Sequence, residues 1–186
     1  MDLTKLFLVA LAVVASGCNS FNGKVGGTEL QVVEALFFPY KENGAVTGAS
    51  VILSNKPKLC DSLKGNRVPK NSVYMVMSVG RYTASGAVAP DVGDYTVTSG
   101  SVTSPGNYAA AVFASLDANC NSLLNISSSL GQSGLVKVQS YKAEQGGSMS
   151  GTFDITFGSQ NDKTNGAFTA QFCDLATNFP SAPNCE

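Results

Sequence analysis

The chain has 186 residues, of which 13% are charged, and a formal net charge of −1. A balance this close to neutral carries no electrostatic footprint for nucleic acid. Histidine is absent, which removes Ser-His-Asp and Cys-His nucleophile pairs and every His-ligated metal site; tryptophan, the commonest sugar-stacking residue, is absent too.

The chain opens with Asp2 and Lys5, runs unbroken and apolar from Leu6 to Ala15, and then places Ser16, Gly17 and Cys18. A short charged start, an apolar run of about 7–15 residues and small residues behind it form the pattern of a secretory signal. The run is too short for a helix crossing a hydrocarbon core, which takes about 20 residues. Ala15-Ser16-Gly17-Cys18 resembles the lipobox of bacterial lipoproteins. That resemblance implies cleavage before Cys18, a diacylglycerol thioether on its sulfur and an acyl chain on its new amine, so that the membrane is a partner through these chains. Asn19 rather than Asp after the cysteine implies, by the same resemblance, the outer membrane. The expected organisation is a signal peptide over 1–17, a flexible tether over 18–27 and one β-rich domain over 28–186.

Cys60, Cys120, Cys173 and Cys185 remain once Cys18 is set aside. An even number in an exported chain points to two disulfides, with three possible pairings. Closeness in sequence favours Cys173 with Cys185, leaving Cys60 with Cys120. A zinc site of four thiolates would need closely spaced cysteine pairs, and this chain has none. No metal or cofactor is expected.

Taken in order, 28–38 is the first strand. Leu30 and Val32 alternate in one phase, and Val33, Ala35 and Phe37 in the other. The switch predicts a bulge near Val32-Val33 or a strand buried on both faces. Phe37-Phe38-Pro39-Tyr40 is either the end of a core strand or an aromatic platform for a ligand. A turn-rich loop over 41–48 precedes a strand over 49–54.

The connection 55–71 holds Lys56, Lys58, Lys64, Arg67 and Lys70 against Asp61 alone. These are five of the chain's twelve Lys and Arg residues. Residues 59–64 predict one helical turn ended by Gly65-Asn66. The segment is either a solvated loop pinned by Cys60 or a basic contact surface for anionic headgroups, polysaccharide or an acidic protein partner.

Residues 72–80 are apolar in both phases, as in a central strand covered on both sides. Further strands are expected over 95–98, 108–115 and 134–141. The clearest alternation comes last: Phe153, Ile155 and Phe157 share one face, and Phe168, Ala170 and Phe172 repeat the pattern after a loop over 158–166, which predicts a long hairpin. The stretch GTFDITFGSQNDKTNGAFTAQFC, through Gly151, Phe153, Phe157, Gly166, Phe168 and Cys173, resembles uncharacterised lipoproteins of myxobacterial type, a group that implies no activity. Many short strands with regular turns predict an all-β fold, an antiparallel β-sandwich or alternatively a β-barrel.

The acid–base candidates are carboxylates. Asp91 and Asp94 lie in turn sequence, Asp154 sits opposite the phenylalanines, and Asn161, Asp162 and Asn165 gather oxygen atoms of the kind calcium takes. A two-carboxylate hydrolase needs a pair at defined separation, which spacing alone does not provide. The expectation is a lipid-anchored envelope protein, not an enzyme, with a binding or structural β-domain. The alternatives are a carrier of a small apolar ligand and a carboxylate hydrolase.

Overall fold

The computed structural model describes residues 19–175 and 184–186; the expected signal peptide and Cys18 lie outside them. Twelve strands and two short helices follow in the order β1 (Ser20–Gly23), β2 (Glu34–Glu42), β3 (Ala45–Ser54), α1 (Leu59–Lys64), β4 (Arg67–Val68), β5 (Val73–Thr83), β6 (Gly86–Val88), β7 (Gly93–Val97), β8 (Gly106–Ser115), α2 (Ile126–Ser129), β9 (Gly131–Tyr141), β10 (Ser148–Phe157), β11 (Asp162–Phe172) and β12 (Asn184–Cys185).

Neighbouring strands run β11-β10-β9-β7-β8-β5-β3-β2, and β2 returns to β11 through the parallel pairs Leu36–Gln171 and Phe37–Phe172. The eight strands therefore close on themselves. The all-β expectation holds, and its barrel form is the one adopted; the sandwich gives way because the β2–β11 pairing joins what would have been two free edges. Pro39 falls beyond those two pairs, where β2 has no partner on that side among the described residues and a missing N–H is tolerated.

Alternation decides which side chains fill the barrel. Phe37, Val51, Leu53, Met75, Met77, Phe113, Val136, Val138, Phe153, Ile155, Phe157 and Phe168 all point inward and are at most 3% exposed. Phe113 packs edge-on to Phe157 at 6.1 Å between ring centroids. Val25 and Leu30 belong to the same cluster and are buried from the segment before β2. Of the two readings of the phase switch at Val32-Val33, the strand buried on both faces is the one adopted: Val33 is 60% exposed before the strand begins, and β2 buries Ala35 and Phe37 inward and Leu36 and Phe38 outward, with its register shift later, at Tyr40-Lys41.

The stretch expected as a tether is instead part of the wall. Ser20 through Gly23 pair antiparallel with Ala167 through Thr164. Asn19 Oδ1 accepts from the Thr169 N–H at 2.7 Å, and Ser20 Oγ from the Ala167 N–H at 3.0 Å. Phe21 turns inward against Phe113 and Phe153. Gly166 permits this approach, because a Cβ there would lie 2.0 Å from the Ser20 carbonyl oxygen. One inward phenylalanine and a backbone ladder convert a small polar stretch into a strand.

A second layer covers one side of the barrel. Outward Leu36, Phe38, Ile52, Tyr74 and Val76 meet Leu59 and Leu63 of α1 and Val68 of β4. Burial there pushes the Tyr74 phenol up. The helical turn over 59–64 is as expected and begins where the Leu59 N–H donates to Glu34 Oε2 at 3.1 Å. Two disulfides close this layer, Cys60–Cys173 and Cys120–Cys185. The expected pairing of Cys173 with Cys185 is corrected. The Cys173 N–H donates to the Phe37 carbonyl as the chain leaves β11, which sets Cys173 beside α1. Cys185 is carried by β12, whose pairing with β4 brings it to the 116–130 connection and Cys120. Sequence distance lost to strand pairing in deciding which sulfurs meet.

Candidate functional site

Two features of the outer wall are candidates for contact with other molecules. The first follows from register. Tyr40 faces Gly48, Gly48 lies beside Gly80, and Gly80 faces Tyr108, forming one row across β2, β3, β5 and β8. Glycines at the two middle positions leave room that the flanking rings lean over. Tyr40 Cδ2 is 3.2 Å from where a Gly48 Cβ would stand, and Tyr82 Cε2 is 3.3 Å from the corresponding point at Gly80. With residues 98–102 as the far wall, a half-open groove of about 480 Å³ results. Tyr82 and Tyr108 meet edge-on at 6.2 Å between centroids, and Tyr82 is 39% exposed.

Hydroxyls and one carboxylate complete the lining: Thr47, Ser78, Thr98 and Glu42. Tyr40 OH, Ser50 Oγ and Ser78 Oγ hydrogen-bond one another, which fixes the Tyr40 ring. Tyr108 OH is 3.0 Å from Ser104 Oγ. The groove presents aromatic surface, short hydroxyls, exposed backbone and the Glu42 carboxylate. Tyr40 was visible in sequence as part of an aromatic run. Tyr82 and Tyr108 were not, because only register brings them to one place; the signal available was Gly80 inside a strand, a mark of close approach.

The second feature is the basic layer. Lys58, Lys64, Arg67 and Lys70 are exposed and Lys56 is half-buried. Lys58 adopts a left-handed conformation, φ 59°, at the start of α1. Arg67 Nη1 pairs with Glu186 Oε2 at 2.9 Å, with both side chains substantially exposed, and Ser62 Oγ donates to the other carboxylate oxygen of Glu186. Among the described residues the four lysines form no ion pair. The segment is thus neither a free loop nor a bare patch: its apolar face is the cover of the outer core and its cations point away from it.

The sequence-level carboxylate candidates disperse. Asp91 lies 3.7 Å from Arg81 Nη1 at the exposed β6–β7 turn. There the Tyr95 phenol donates to the Asp91 carbonyl and accepts from the Asp91 N–H; burial pushes that phenol up, against the lowering pull of the same hydrogen bond. Asp94 and Asp154 are exposed on β7 and β10. Asp162 Oδ2 accepts from the Gly26 N–H at 2.8 Å, and Asn165 accepts from Asn22, so this oxygen cluster ties the N-terminal stretch to the last hairpin. Asp117 accepts from the Asn121 and Asn119 N–H groups, which hold its carboxyl below the usual range and shape the turn that carries Cys120. Among the described residues no three His, Cys, Asp or Glu side chains gather as a metal site. At one end of the barrel, burial and then the neighbouring Tyr95 push the Tyr141 phenol up to about 12, and its OH is buried without a hydrogen-bond partner among the described residues.

Comparison with protein-family models, with curated proteins and with solved structures gives no match.

Proposed function

We propose that this chain is a lipid-anchored envelope protein whose barrel binds a small neutral polyhydroxylated ligand, such as a saccharide unit, without transforming it. The groove framed by Tyr40, Tyr82 and Tyr108 is the observation that carries the binding half of this reading. Tyrosine offers a ring to stack on and a hydroxyl to donate, and the short side chains of the floor leave the backbone within reach. The barrel axis is filled by Phe113, Phe153, Phe157 and their neighbours, which supports a ligand on the outer wall over the alternative of an apolar cargo inside. The anchoring half rests on Ala15-Ser16-Gly17-Cys18.

Titrating the folded domain with short neutral oligosaccharides while following tyrosine fluorescence tests the groove. A saturable change that disappears in Tyr82→Ala, with the melting temperature kept, is expected. Equal signals from the wild type and Tyr82→Ala would place the ligand elsewhere. For the anchor, Cys18→Ala is expected to move the protein from the membrane to the soluble fraction; continued recovery with membranes would count against acylation.

A further inference from the structure

Resting on the anchored reading, we infer that the α1 layer is the face the protein lays against the bilayer, with its lysines on anionic lipid headgroups. Two independent observations meet on one side of the barrel.

The first is the point where the anchor would leave the fold. Cys18 is one peptide from Asn19, so their Cα atoms are about 3.8 Å apart. Asn19 is held on β11 through the Thr169 N–H. Two residues further along β11, roughly 7 Å at strand rise, Gln171 pairs with Leu36 of β2. Outward Leu36 belongs to the cluster under α1, and Glu34, two residues before it, accepts the Leu59 N–H that starts α1. Acyl chains on Cys18 would therefore enter the membrane beside α1.

The second is charge. Lys56, Lys58, Lys64, Arg67 and Lys70 lie on this layer, with Glu34, Asp61 and Glu186 offsetting part of them. The disulfide Cys60–Cys173 fastens α1 to the end of β11, so the cations are tied to the strand that holds Asn19. Residues 55–58 precede α1 on the same side, which puts Pro57, exposed between Lys56 and Lys58, at the contact. Opposite α1 in the ring of strands stands β9, whose Leu135 is 39% exposed. A fixed orientation follows: α1 against the headgroups and β9 away from them.

The chain has no tryptophan, so a single introduced one is an unambiguous depth reporter. The acylated full chain, carrying either Pro57→Trp or Leu135→Trp, is reconstituted into vesicles with brominated acyl chains, either phosphatidylcholine alone or phosphatidylcholine with phosphatidylglycerol. Acylation of Cys18 is verified by mass beforehand. Strong quenching at position 57 in anionic vesicles, weak quenching at 135, and a reduced difference in neutral vesicles are expected. Adding Lys58→Gln and Lys64→Gln should lower the preference for the α1-down orientation on the order of fivefold for each lysine removed. Equal quenching at the two positions, or quenching at 57 that does not respond to anionic lipid, overturns the inference while leaving the anchor intact. An unmodified Cys18 removes the anchored reading and this inference with it.

Discussion

Inside the barrel, buried side chains other than Val25 and Leu30 are placed by their position along a strand; outside it, burial depends on which distant segments are joined. Phe153, Ile155 and Phe157 face the axis because they are two residues apart. Leu59, Leu63 and Val68 cover Leu36, Ile52 and Val76 because α1 and β4 are drawn onto the wall by Cys60–Cys173, Cys120–Cys185 and the two-residue pairing of β12 with β4. The inner core is a property of local pattern summed around a ring. The outer core is a property of chain closure, and it should come apart separately.

The sharpest way to break the inner core is Phe113→Ala. Phe113 is fully buried against Phe21 and Phe157, and truncation of such a ring costs about 3–5 kcal/mol. A lowered transition shared by all probes is expected in thermal melts, because the outer layer rests on the barrel wall; barrel probes left unmoved by Phe113→Ala would show that this ring does not hold the inner core. Replacing Cys60 and Cys173 together by serine should cost about 2–5 kcal/mol on the chain-entropy model. Hydrogen exchange should rise first over 55–72, with the amides of β9 and β10 still protected. Non-reducing peptide mapping of the native protein should recover 60 linked to 173 and 120 linked to 185.

Smaller effects sharpen the contrast. Tyr141→Phe removes a buried hydroxyl that has no partner among the described residues, and a gain of about 1 kcal/mol is expected in denaturant titrations. The same phenol makes stability sensitive to alkali. It ionises near 10 when unfolded but is pushed up to about 12 by burial when folded. The folded state therefore holds more protons between those values, and its contribution, whole below pH 10, fades as pH rises toward 12. The Tyr141→Phe variant should lose that part of the slope. Asp117→Asn should produce the least change at neutral pH. With its carboxyl lowered by the Asn121 and Asn119 N–H groups, Asp117 supports the fold above the ordinary carboxylate range and loses that role as pH falls through the lowered value. The variant should flatten the acid limb of a pH–stability profile.

The long hairpin of β10 and β11 could be read from Phe153, Ile155, Phe157, Phe168 and Ala170, and the α1 turn from its Gly65-Asn66 ending, since both are written in local period and breaker residues. Closure of the barrel could not, because it rests on two parallel residue pairs between strands some 135 positions apart, Leu36–Gln171 and Phe37–Phe172. β1 escaped for a different reason: Ser20–Gly23 has one apolar residue, too few for a period, and is a strand only because β11 offers it an open side at Gly166. The tyrosine groove draws one ring from each of β2, β5 and β8, and no window along the chain contains all three.

The two crosslinks also interlock along the chain, since 120 lies between 60 and 173, and 173 lies between 120 and 185. Hydrolysis of any one peptide bond between residues 60 and 185 would leave both fragments covalently joined. A protease cutting once at an exposed turn of that span, such as residues 84–85 between β5 and β6, would therefore nick this chain without releasing a piece of it.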